Sequence, residues 1–163
     1  MTSGGCACGN LKYTFDGEPV GVVSCRAFES YPTATDLTVL ITANTDALCH
    51  CISCRRSSNS THSTNLLVPT PSFHPTSGTA KQWTRTGDSG KTVTNNFCGE
   101  CGTLLWVTGE AMTGVTIVKA GTLDDLSLND TKYKPKVEIF TRNKYSWLAD
   151  VEGAAKFEGS MSA

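Results

Sequence analysis

Apolar and polar positions alternate over several short stretches of the chain, and none follows the 3.6-residue period of a long amphipathic helix. Residues 11–15, 63–68, 81–85, 115–119 and 137–140 alternate or are rich in β-branched and aromatic side chains, so each is predicted to be a strand. Residues 93–97 and 103–107 have the same character. Turn-forming residues separate them: Asp16-Gly17, Pro69-Thr70-Pro71, residues 86–90, Gly109 and Asn129-Asp130. Short helices are expected at about 55–58 and 150–157. The expected fold is mainly β, with antiparallel sheets. There is no internal repeat and no low-complexity tract.

A length of 163 residues suits one domain with a real core, and 1–163 is taken as a single domain. The charged fraction is 18% and the net charge −1, so no basic excess points to nucleic acid. The most apolar run, 37–41, is too short to span a membrane. The first residues, Met-Thr-Ser-Gly-Gly-Cys, have no apolar core, and a cytosolic location is expected.

Composition changes the picture at one point, the eight cysteines. A disulfide framework fits a small secreted chain better than this one. Seven cysteines fall into three groups: Cys6-Ala7-Cys8, Cys49-His50-Cys51-Ile52-Ser53-Cys54, and Cys98-Gly99-Glu100-Cys101-Gly102. Cys25 stands apart. Two zinc ions bound through the seven are expected.

The physical reasons differ by group. In Cys98-x-x-Cys101, one tight turn aims two sulfurs at one ion, and Gly102 follows where positive φ is needed. A redox pair would instead sit at a strand-to-helix junction, whereas both flanks here are predicted strands. Cys6 and Cys8 are two residues apart, so on an extended chain they share a face. With Cys98 and Cys101 they make a closed, structural four-sulfur site. Cys49, Cys51 and Cys54 offer three thiolates and leave one position open, the arrangement of a catalytic zinc. His50 is a possible fourth ligand, although alternation points it away from Cys49 and Cys51. His62 and His74 are expected at the surface. Spacing leaves a second partition open, with Cys49, Cys51, Cys98 and Cys101 at one ion.

These three groups, in this order, resemble the glutathione-dependent formaldehyde-activating enzyme family, which includes centromere protein V. Gly5-Cys6-Ala7-Cys8-Gly9-Asn10, Cys49-His50-Cys51-Ile52-Ser53-Cys54-Arg55 and Phe97-Cys98-Gly99-Glu100-Cys101-Gly102 carry the resemblance. Lys119-Ala120-Gly121-Thr122-Leu123-Asp124, Ile139-Phe140-Thr141-Arg142 and Ser146-Trp147-Leu148 extend it. The resemblance implies a β-tent of packed antiparallel sheets. It places a structural zinc on Cys6, Cys8, Cys98 and Cys101 and a catalytic zinc on Cys49, Cys51 and Cys54. It implies a carbon–sulfur lyase joining glutathione, as co-substrate, to formaldehyde or a related small electrophile. The alternative is a zinc module with a vestigial second site that acts by interaction. Glutathione is anionic, so cations should line its approach: Arg55 and Arg56 first, Arg85 and Lys119 after them. Against the family pattern, residues 24–47 form an insert, either an in-frame translated intron or a loop of this chain's own. Cys25 lies within it and is left out of the ligand set.

Overall fold

The computed structural model describes residues 1–19, 46–87 and 89–160. Cys25 and residues 24–45 of the insert therefore lie outside the described residues, and Ala47, at its end, already belongs to a strand.

Eleven strands and one α-helix organise the described chain. In order they are β1 Thr2–Gly5, β2 Lys12–Phe15, β3 Ala47–Cys49, α1 Ile52–Ser58, β4 Ser63–Pro69, β5 Phe73–Ser77, β6 Lys81–Thr86, β7 Thr92–Phe97, β8 Leu104–Gly109, β9 Val115–Lys119, β10 Val137–Ile139 and β11 Ala155–Phe157. A small sheet has the order β1-β2-β5 and a large one β11-β10-β3-β4-β9-β8-β7-β6. All the strands predicted from alternation are present, with ends shifted by a residue or two.

The two sheets enclose a core of alternating side chains. Tyr13 and Phe15 from β2 meet Leu66 and Val68 from β4, Leu105 and Trp106 from β8, and Val118 from β9. Phe73 lies between Tyr13 and Trp106, with ring centroids at 5.3 and 5.1 Å. Each such ring removes a large apolar area from water, which is the main favourable term in folding. The buried Tyr13 hydroxyl is satisfied by Thr122 Oγ1 at 2.8 Å. Gly4 of β1 allows this closeness, since a Cβ there would stand 2.4 Å from both the Thr122 carbonyl oxygen and the Tyr13 hydroxyl.

Two expectations are corrected. The sheets are not wholly antiparallel: β10 runs parallel to both β3 and β11. The helix expected at 150–157 is a turn followed by β11. Gly153, at φ +78°, breaks the helical path, and the Val151 N–H donates to Glu138 Oε1 at 2.5 Å rather than within a helix. β1, β3, β5 and β11 escaped the alternation test. β1 reads Thr-Ser-Gly-Gly, and β5 contains Pro75, tolerated because β5 is the outer strand of its sheet.

Candidate metal centres

The four-cysteine group joins distant parts of the chain. Cys6 and Cys8 follow β1, while Cys98 and Cys101 occupy the β7–β8 hairpin. All four sulfurs lie within 4.8 Å of one another. Cys6–Cys8 and Cys8–Cys98 are 3.4 and 3.6 Å apart, too long for disulfides. A tetrahedral zinc with bonds of about 2.3 Å sets its sulfurs roughly 3.8 Å apart, so the group fits one ion. Local backbone geometry holds it. The Leu11 N–H donates to Cys6 Sγ at 3.2 Å, and the Gly102 N–H donates to the Cys98 carbonyl oxygen at 2.9 Å. Gly102 has φ +73°, as the knuckle requires.

The thiols of this group divide their acidity. A hydrogen bond with the Thr103 hydroxyl and backbone N–H bonds bring Cys101 down to about 5. For Cys8 the Asn10 N–H acts downward, but Cys6, burial and the other two cysteines prevail and push it up to about 12. Four adjacent thiols cannot all ionise without a cation between them, which is the electrostatic mark of a metal site.

The second group is built at the end of a strand and the start of a helix. Cys49 closes β3 and is buried. Cys51 is the N-cap of α1, its Sγ accepting from the Cys54 N–H at 3.3 Å, and Cys54 lies in the first turn. Their three sulfurs also lie within 4.8 Å of one another, and no fourth Cys, His, Asp or Glu joins them among the described residues. Hydrogen bonds from Cys49 and Cys51 hold Cys54 well below the ordinary thiol value, against burial, and the charges of Lys119 and Arg85 act the same way. Cys51, Cys54 and burial push Cys49 up, and for Cys51 the bond with Cys49 acts downward but Cys54 and burial prevail and push it up to about 11. The partition with Cys49 and Cys51 beside Cys98 and Cys101 is excluded by these two separate clusters.

His50 does not join the sulfurs. It is wholly buried on the opposite sheet face, where its Nε2 lies 3.1 Å from Glu138 Oε2. Glu138 is also fully buried, and it accepts from Lys144 Nζ at 2.6 Å and from the Val151 N–H. Lys144 reaches Asp150 as well, at 2.7 Å. Burial would raise the Glu138 carboxyl, but Lys144, the Val151 N–H and His50 together hold it below its ordinary value. His74 is exposed as expected, whereas His62 is half-buried and packs edge-on to His50 at 5.8 Å.

The arginines flanking the motif lead elsewhere. Arg55 donates to the Asn143 carbonyl oxygen at 2.9 Å and stacks 3.9 Å over Tyr145. Arg55 and the exposed Arg56 line a cavity of about 570 Å³ that no cysteine borders. A different cleft, of about 480 Å³, is bordered by Cys101 of the four-cysteine group and by no cysteine of the second group. Ser58, His62, Ser63, Cys101, Thr103 and Lys119 are part of its wall. Sequence reasoning missed Ser63, Asn65 and Glu138. Only the pairing register brings Ser63 opposite Cys49 and Asn65 opposite Lys119.

Fold and site together define a mostly β protein with two cysteine clusters that could each hold a metal ion. Residues 33–143 match the family described as "Glutathione-dependent formaldehyde-activating enzyme", and the chain belongs to that family. The match begins inside the 24–47 segment and leaves out Cys6 and Cys8, which the structure nevertheless joins to Cys98 and Cys101. No curated protein matches the chain. A Rhodobacter sphaeroides protein of known crystal structure is similar in fold, with TM-score 0.51 and 15% identity. The similarity covers 78% of this chain and 93% of that one. Among the described residues, no helix is long and apolar enough to cross a membrane.

Proposed function

We propose that the chain is a zinc-dependent carbon–sulfur lyase that joins a small thiol, glutathione in the first instance, to formaldehyde or a related electrophile. The observation that carries this is the contrast between the clusters: four sulfurs close one site, while three gather at the other with no fourth ligand among the described residues. Family membership supports the substrate class. Cys6, Cys8, Cys98 and Cys101 hold the structural ion, and Cys49, Cys51 and Cys54 the catalytic one. Zinc bound to three thiolates would keep a substrate thiol ionised in its open position.

The chain's own contribution is placement. β3 and α1 fix the three sulfurs, and a thiol and an aldehyde held together beside them would react at a lower entropic cost. The sulfur adds to the carbonyl carbon, the carbonyl electron pair moves to oxygen, and the oxygen takes a proton. The product is a hydroxymethyl thioether. Arg55 is committed to Asn143 and Tyr145, so its proposed role at the substrate is indirect, while the exposed Arg56 can meet an anionic thiol at the surface.

Cys54→Ser is expected to lose one zinc per chain and glutathione binding while melting within a few degrees of the wild type, because Cys54 is only half-buried and lies outside the main core. Metal analysis, calorimetric titration and thermal denaturation check the three parts. Glutathione binding that survives the loss of this zinc would favour the interaction-module alternative.

A further inference from the structure

Lys119 is a buried cation without a carboxylate partner among the described residues, and its residue is 9% exposed. Nζ donates to Asn65 Oδ1 at 2.8 Å and to Ser63 Oγ at 3.2 Å, both neutral oxygens. A buried ammonium carries a large desolvation penalty that neutral acceptors offset only in part. It also has three N–H donors, of which these bonds use two.

The sheet register places this amine relative to the cysteines. Directly paired residues share a sheet face, as do residues two apart on a strand. Cys49 pairs with Ser63, and Asn65 pairs with Lys119. Cys49, Ser63, Asn65 and Lys119 therefore occupy one face of three adjoining strands. That face borders the 480 Å³ cleft, which Ser63 and Lys119 both line. Ser57 and Ser58, beside Cys54, spend their hydroxyls on the Cys54 carbonyl oxygen, so they do not compete for the amine.

We propose that Lys119, held by Ser63 and Asn65, is the anion-recognition residue of the cleft and takes a carboxylate of the thiol substrate. The inference rests on the proposed thiol chemistry and adds to it the reason an acidic thiol is chosen over a neutral or basic one. An ammonium in a shielded cleft binds a carboxylate more strongly than an exposed arginine does. Specificity is thus assigned to β4 and β9 rather than to the arginines that follow the cysteine motif.

The competing role for Lys119 is to offset the charge of the three thiolates, and ligand choice separates the two. S-methylglutathione carries the carboxylates without a free thiol, and cysteamine carries the thiol without a carboxylate. Binding of each to zinc-loaded wild type, Lys119→Gln and Lys119→Arg is measured by calorimetric titration, alongside zinc content. Lys119→Gln is expected to weaken S-methylglutathione by roughly tenfold or more, the loss of one charge-assisted hydrogen bond. Cysteamine binding and zinc content should stay unchanged, and Lys119→Arg should keep most of the affinity. The proposal is overturned if S-methylglutathione fails to bind the wild type or binds Lys119→Gln equally well. It is also overturned if cysteamine and zinc weaken in parallel, since Lys119 would then serve the cysteines. Binding of S-methylglutathione without cysteamine would remove the thiol-chemistry reading and leave the anion site standing. Should Lys119→Gln not fold, the Lys119 Cε resonance of the wild type must move on adding S-methylglutathione, and a stationary resonance refutes the proposal.

Discussion

Replacing Cys101 by serine is expected to release the metal from the four-cysteine group and to lower stability by on the order of 4 kcal/mol, the effect of about a thousandfold loss in ligand binding to the native state. The size follows from what the group connects. Cys8 and Cys98 are 90 positions apart in the chain, so one ion held there would close a very long loop between the end of β1 and the β7–β8 hairpin. Cys6 and Cys98 are also members of the main core cluster, beside Leu11 and Leu105, so loosening the site loosens the core. Cys101 itself is exposed, and exchanging its thiol for a hydroxyl alters little packing. The loss therefore reports the metal. Urea unfolding with and without a chelator checks this: chelated wild type should unfold where Cys101→Ser does. A wild type indifferent to the chelator would show that this group needs no ion.

Glu138→Ala should cost a similar amount, about 3–5 kcal/mol, for a different reason. Glu138 and its partner His50 are both fully buried, and the Lys144 side chain is 8% exposed. Removing the carboxylate leaves Lys144 without its buried partner, His50 Nε2 without an acceptor and the Val151 N–H unpaired. Denaturant titration measures the loss, and pH adds a second check. The folded Glu138 carboxyl lies below its ordinary value, so its contribution is complete above the unfolded pKa of roughly 4.3 and declines as pH falls through the folded value. Lys144 works in the opposite direction. Against burial, Asp150 and Glu138 raise it, so its contribution holds below the ordinary lysine value and fades as pH rises through the raised one. In Glu138→Ala the acid limb of the stability curve should flatten. An unchanged acid limb would mean that the pair contributes nothing to acid stability.

Much of this was legible before any coordinates. Alternation located β2, β4, β6, β9 and β10, because each buries one face and wets the other or is rich in β-branched residues. The cysteine spacings revealed both clusters, since a two-residue gap on an extended chain or in a tight turn forces sulfurs together. Other features depend on tertiary context. β1 has two glycines and no propensity to declare itself, and it forms because β2 pairs with it. The tail at 150–157 has helix-forming residues, but Glu138 captures the Val151 N–H and β10 pairs with Ala155–Phe157. Spacing could not choose between the two cysteine partitions, because that choice depends on how the hairpin carrying Cys98 and Cys101 docks. Lys119 looked like one surface cation among several, and only the register of β4 on β9 buries it beside Asn65.

The division of labour between the clusters is tested most directly by the sulfur coordination of zinc, read by X-ray absorption with and without glutathione. The expected result is two zinc ions per chain, one with four sulfurs and one with three, the second gaining a fourth sulfur when glutathione is added. A single bound zinc, or a sulfur count unmoved by glutathione, would contradict the closed-site and open-site roles given to the two clusters.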